Sequence, residues 1–189
     1  MSASEPSNPG SELPQGLSNI ETDDRPGKRF PLEKWDPPHR GHSHMRIDAE
    51  GRWFHRGGEI KRTRMVSLFA RLLRREGDEY VIVTPVEKLT VDVEDAPLMA
   101  RELFARGEVQ AQELIFALNN DEQVTVDSET PLVARSHDGP VIDLPRGLCA
   151  KLSRPAWYAL AELAVTDDGR EGVWSCGTFF PLVPEDGRA

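Results

Sequence analysis

The sequence predicts an α+β protein of two similar small lobes, each a helix packed against short, mostly antiparallel strands, with a repeated motif. Three observations predict it. Two runs space their apolar residues at the period of a helix with one buried stripe. The other apolar residues fall into short alternating runs, the pattern of half-buried strands, punctuated by 15 glycines and 15 prolines. Part of the chain also echoes itself.

Residues 1–29 are rich in Ser, Pro, Gly, Asn and Asp and poor in aliphatic side chains, so they read as a disordered leader. Residues 30–95 form the expected N-terminal α+β lobe and residues 96–189 the C-terminal one. Phe30 and Trp35, set among prolines, read as anchors that tack the leader to the body. Residues 45–48 and 52–56 alternate as strands, with turns at Ala49-Glu50-Gly51 and Gly57-Gly58. The strongest helix runs from Thr63 to about Arg75, with Met65, Val66, Leu68, Phe69, Leu72 and Leu73 as its buried stripe, and Gly77 stops it. Strands follow at 79–85 and 89–93. Residues 98–104 and 112–118 read as two more, although Met99-Ala100-Arg101-Glu102-Leu103 also suits a helix over 98–106. Asn119-Asn120-Asp121 turns, 124–127 and 132–135 pair, His137 sits in a turn, and 141–144 is a further strand. A second helix runs from Ser153, its cap, to about Val165, with Pro155 in the first turn. Residues 173–182 form an aromatic strand pair or one bent strand.

The echo joins Thr90-Val91-Asp92 to Thr125-Val126-Asp127, and Pro97-Leu98-Met99-Ala100-Arg101 to Pro131-Leu132-Val133-Ala134-Arg135. More coarsely, the helix from Thr63 with the strand from Tyr80 matches the helix from Ser153 with the strand from Val173. Such units are too small to bury much surface singly and share a core when stacked.

Charge is unevenly spread. The net −9 of the chain conceals a segment, residues 40–75, with ten basic and three acidic side chains, net +7. The overall sign disfavours a nucleic-acid partner. No apolar run reaches the length of about twenty residues that a membrane helix needs, and no signal peptide is readable. A soluble, cytoplasmic protein is the expectation. Cys149 and Cys176 are too few for a disulfide scaffold and read as buried, inert thiols.

The basic segment supplies the candidate anion or partner surface: Lys61, Arg62, Arg64, Arg71, Arg74 and Arg75, with Glu87 and Lys88 in the following turn. Clustered guanidiniums clamp phosphates and carboxylates. They also serve as solvated helix faces or dock on acidic surface, within the chain or between subunits. Elsewhere the sequence carries no phosphate-binding loop and no nucleophile elbow. His42-x-His44 with His55, and the carboxylates Asp92, Glu94 and Asp95, read as loop and turn residues. No metal and no cofactor is expected.

Several strings in order resemble one bacterial family. They are Leu73-Arg74-Arg75-Glu76-Gly77, Val83-Thr84-Pro85-Val86-Glu87-Lys88, Val93-Glu94-Asp95-Ala96-Pro97 and Gly172-Val173-Trp174-Ser175-Cys176-Gly177-Thr178-Phe179-Phe180-Pro181-Leu182, with Met45-Arg46-Ile47 and Gly51-Arg52-Trp53-Phe54 upstream. The chain is similar, over residues 31–183, to the domain-of-unknown-function family numbered 1285. The resemblance implies a two-lobed α+β arrangement with a repeated motif and a part in signal transduction. It carries no catalytic residues across. Gly41-His42-Ser43-His44 departs from the more acidic run of the family. The leading expectation is a non-enzymatic ligand- or protein-binding module with a regulatory or signal-transducing use, its partner an anionic small molecule or a protein. The alternatives are a small hydrolase or metal-dependent enzyme using clustered carboxylates, and a structural homodimer component.

Overall fold

Two sheets built to one plan carry the molecule. The computed structural model describes residues 15–20, 30–135 and 139–184, so His137 lies outside the described residues. In the first lobe β1 (His39–Ile47), β2 (Trp53–His55), β3 (Gly58–Glu59), β4 (Leu73–Glu76), β5 (Glu79–Val83) and β6 (Glu87–Val93) lie in the order β3-β2-β1-β6-β5-β4. In the second, β7 (Leu98–Arg106), β8 (Glu113–Leu118), β9 (Gln123–Thr125), β10 (Leu132–Val133), β11 (Val141–Leu144) and β12 (Leu148–Leu152) lie in the order β10-β11-β12-β7-β8-β9. Each sheet is two antiparallel meanders joined through one parallel pair, β1 with β6 and β7 with β12. Parallel neighbours need a long connection, and here the intervening four strands provide it. The first lobe inserts α2 (Thr63–Leu72) between its meanders. The second instead appends α3 (Arg154–Ala161) after its sixth strand.

The duplication therefore sets β6 against β12 and β5 against β11. The sequence echo of Thr90-Val91-Asp92 with Thr125-Val126-Asp127 falls on β6 and on the end of β9 with the two residues after it, out of that register. It marks a local signal, an alternating strand running into an acidic turn, that recurs wherever such a strand ends.

Helix α2 ends at Leu72, three residues before the expected stop. Leu73 turns extended at φ −79°, ψ 139°, and residues 73–76 pair with β5, Leu73 opposite Ile82 and Glu76 opposite Glu79. Leu73 fits the helical stripe and the strand alternation equally well, and the ladder decides. Gly77-Asp78 then closes a two-residue hairpin with the glycine at φ 60°, where a side chain is disfavoured. Ser153 caps α3 as expected, its Oγ accepting from Ala156 N–H at 3.3 Å. The helix stops at Ala161, and Val165–Asp167 becomes strand β13. Residues 98–106 are strand β7, whose pairing on both sides with β8 and β12 overrides their helix propensity.

The 173–182 run is a strand pair. β13 (Val165–Asp167), β14 (Arg170–Ser175) and β15 (Thr178–Pro181) form a third sheet, turned at Cys176-Gly177 with both residues at positive φ. Cys176 is exposed there, contrary to expectation, while Cys149 is buried. The third sheet is held to the second lobe by Ser175, whose Oγ accepts from Leu114 N–H at 3.0 Å and donates to Val126 C=O at 2.6 Å.

One hydrophobic cluster runs through both lobes, with Trp53, Phe69 and Leu72 of the first and Leu114, Phe116, Ile142 and Leu160 of the second fully buried. The run read as a disordered leader also contributes: α1 (Gln15–Ile20) is helical, with Leu17 at 0% exposure and Ile20 buried.

Candidate functional site

The first wall of an inter-lobe cleft begins at a tight turn. Asp48 lies 4% exposed at the end of β1. Its Oδ1 accepts from Glu50 N–H at 3.1 Å and Arg52 N–H at 2.8 Å, and its Oδ2 accepts from Arg52 Nε at 2.7 Å. Burial works to raise the pKa of this carboxyl, but the hydrogen bonds from Arg52 and Glu50 outweigh it and hold it below its ordinary value. The turn presents Gly51 at φ 73° to the second lobe, where Asn119 Nδ2 donates to its carbonyl at 2.8 Å. A side chain on Gly51 would meet Asn119 Nδ2 at 2.7 Å. Asn119 Oδ1 in turn accepts from Met99 N–H at 3.1 Å, so a single amide stitches the turn to β7.

Beside this stitch the lobes leave a cleft of about 480 Å³. Gly51, Arg52, Trp53, Glu59, Ile60, Lys61, Thr63 and Val66 line it from the first lobe, and Arg101, Glu102, Ala117, Leu118, Asn119 and Asp121 from the second. The start of α2 faces it with no side-chain cap and no acidic residue in the first turn. Arg52 is engaged by Asp48 and Glu50 at 2.7 and 3.1 Å, whereas Lys61 and Arg101 form no ion pair among the described residues. Trp53 is 1% exposed, and its indole N–H has no acceptor among the described residues. Buried donors of this kind are rare, since leaving one unmade costs about 1–3 kcal/mol.

The eight residues expected at an anion or partner surface do not form one surface. Lys61, Arg62 and Arg64 stand exposed at the start of α2, and of the eight only Lys61 lines the cleft. Arg71 is buried, its guanidinium 5.5 Å from the Phe30 ring and its Nε donating to Ser67 C=O at 3.3 Å. Arg74 and Arg75 lie on β4, not on the helix. Arg74 donates to Leu32 C=O at 2.7 Å and to Glu76, and Arg75 donates to Gly77 C=O at 2.9 Å. Lys88, its side chain 5% exposed, holds Glu76 at 2.9 Å and Asp36 at 3.2 Å. The hydrogen bond from Lys88, joined by those from Arg74, depresses the Glu76 pKa against the effect of burial. Glu87 is buried and accepts from Gly16 N–H at 2.7 Å. Arg71, Arg74, Glu87 and Lys88 thus all engage residues 16–36 of their own chain. Of the basic segment, Arg71 and Arg74 turn inward on their own chain, while Lys61, Arg62 and Arg64 stay exposed.

The carboxylates at the end of β6 and just beyond it do not line the cleft. Asp92 meets His42 at 3.5 Å, Glu94 pairs with Arg46, and Asp95 pairs with Lys151. His42 borders and His44 lies within a bulge in β1 where pairing jumps from His42↔Thr90 to Met45↔Val91. Among the described residues no three His, Cys, Asp or Glu side chains are placed to hold a metal ion. Burial raises the Cys149 pKa, which disfavours its thiolate.

Family models match the chain in two parts. Residues 30–96 match a domain of unknown function (DUF1285), N-terminal domain, and residues 97–182 match a protein of unknown function (DUF1285), C-terminal domain. The chain belongs to the DUF1285 family. A crystal structure of a DUF1285 family protein from Silicibacter pomeroyi DSS-3 is 32% identical, superposes with a TM-score of 0.81, and aligns over 90% of this chain and 96% of that one. A DUF1285 family protein from Shewanella baltica OS155 is 29% identical with a TM-score of 0.52, over 62% of this chain and 90% of that one. No curated protein matches the chain. In this DUF1285 protein, sequence reasoning did not single out Trp53, Arg101 or Asn119, among other cleft residues, as parts of a site. Asn119 was legible only as a turn residue, and Arg101 only as part of a strand or helix.

Proposed function

We propose that this DUF1285 protein is a non-enzymatic ligand-binding module of regulatory use, and that its ligand is a small anionic molecule held in the cleft between the lobes. One observation carries the reading. The cleft brings together Lys61 and Arg101, which form no ion pair among the described residues, and the start of α2, which has no side-chain cap, at the junction of the two repeats. Its volume falls within the range of about 300–1,000 Å³ usual for small-molecule pockets. Uncapped helix amides and cations favour phosphate or carboxylate groups. Glu59, Glu102 and Asp121 line the same space, so the anion best suited also carries hydrogen-bond donors or a positive group. Such a ligand touches both lobes, so binding alters how the lobes are held together, which is what a regulatory module requires.

The test is a thermal-shift screen of the full chain against inorganic phosphate, dicarboxylates, amino acids and nucleoside monophosphates, followed by calorimetry on the Lys61→Ser/Arg101→Ser double variant. The reading predicts a binder whose affinity falls at least about tenfold in the variant, equivalent to about 1.4 kcal/mol. A binder held equally well by the variant, or none in any of these classes, contradicts it.

A further inference from the structure

The contacts of α1 point to a second recognition site, none of whose residues Gly16, Leu17, Ile20, Thr84 and Glu87 lines the cleft. The turn from Thr84 to Glu87 is built without help from α1. Thr84 Oγ1 accepts from Val86 N–H at 3.3 Å and Glu87 N–H at 3.1 Å, and Thr84 N–H donates to Glu87 C=O at 2.9 Å. That turn starts β6 and holds the Glu87 carboxylate, 9% exposed, where the Gly16 amide reaches it at 2.7 Å. The fit is selective. A Cβ on Gly16 would lie 2.5 Å from Glu87 Oε1 and 2.6 Å from Thr84 Oγ1, so a larger residue requires the carboxylate and the hydroxyl that builds the turn to shift. Leu17 and Ile20 then enter the core cluster. The bound segment reads glycine–apolar–x–x–apolar.

A helix of six residues does not hold its shape alone in water, so α1 is helical because it is seated. Its hold also differs from that of the segment behind it. Phe30, Leu32 and Asp36 are fixed by Arg71, Arg74 and Lys88, a charged clamp. Among the described residues, α1 is held by the apolar side chains of Leu17 and Ile20 and by one amide on a carboxylate. The clamp secures the chain further along, which keeps the local concentration of α1 high at the seat.

We infer that this seat is a peptide-docking site, occupied in cis by residues 16–20, whose partner is a protein segment of the same glycine–apolar–x–x–apolar pattern that displaces α1. The test is a fluorescein-labelled peptide of residues 13–22 titrated into wild-type chain and into full-length Leu17→Asp and Gly16→Val variants, in which the cis segment cannot seat. Both variants take up the peptide at least about tenfold more tightly than wild type, because the tethered competitor is gone. The same peptide carrying Gly16→Val is refused by all three. The inference is overturned if the folded variants bind no peptide, or if either variant loses its cooperative unfolding transition, which would make α1 a fixed part of the core. A wild-type mass of twice the monomer that falls to the monomer in both variants would assign the seat to a second copy and overturn the choice of partner.

Discussion

Lys88 keeps a charged side chain 5% exposed, which is tolerable only because Glu76 and Asp36 surround its ammonium. Replacing it by Met strands Glu76 against Arg74 alone, and denaturant titration at pH 7 should show a loss of about 1–3 kcal/mol. Glu76 sets the pH dependence of this cluster. Its native pKa lies below its ordinary 4.5, so its contribution is complete above that value and disappears as pH falls through the lower native one. Glu76→Gln should therefore be less stable than wild type at pH 7 and should lose less on acidification. Parallel acid limbs for the two proteins would contradict that. The sequence singles out Arg71, Arg74, Glu87 and Lys88 as a charged set, but leaves out Glu76 and Asp36, the partners of Lys88, and offers the four as a surface. Their burial was not legible. Which segment covers a cation depends on where the chain returns in space, and the sequence places Asp36 and Lys88 fifty-two positions apart.

Among the elements, α2, α3 and most strands follow from periodicity alone. The exceptions lie where two patterns overlap. Leu73 suits both the helical stripe and β4, and Val165 suits both the end of α3 and β13, so tertiary pairing sets both ends. α1 was missed for another reason: its six residues offer only two buried apolar positions, too few for a periodic signal. Energetically it stands near balance. Burying Leu17 and Ile20 yields about 1.5–3 kcal/mol each, and the amide on Glu87 about 1.5–3 more. Ordering six backbone residues costs about 1–2 kcal/mol apiece. Leu17→Ala should accordingly unseat α1 with little change in global stability. Amide exchange should show residues 15–20 losing protection while the denaturation midpoint holds. The third sheet is held more firmly. Ser175→Ala leaves Leu114 N–H and Val126 C=O without their shared hydroxyl, and an expected loss of about 1–3 kcal/mol is measurable by denaturation monitored through Trp174.

At the scale of the whole molecule, duplication creates the cleft. Two sheets of the same topology meet with the Asp48–Arg52 turn of one against β7 and β8 of the other, and Asn119 joins them. The two-lobed architecture was readable because alternation and turns repeat. The junction was not, because the echo visible in the sequence is out of register with the structural repeat. The most direct measurement is amide hydrogen exchange of the full chain with and without the binder found by the screen. The account predicts that residues 60–66 and residues 99–102 and 118–121 slow together, both lobes responding to one ligand. Protection confined to one lobe, or centred on Arg74, Arg75 and Lys88, would contradict it.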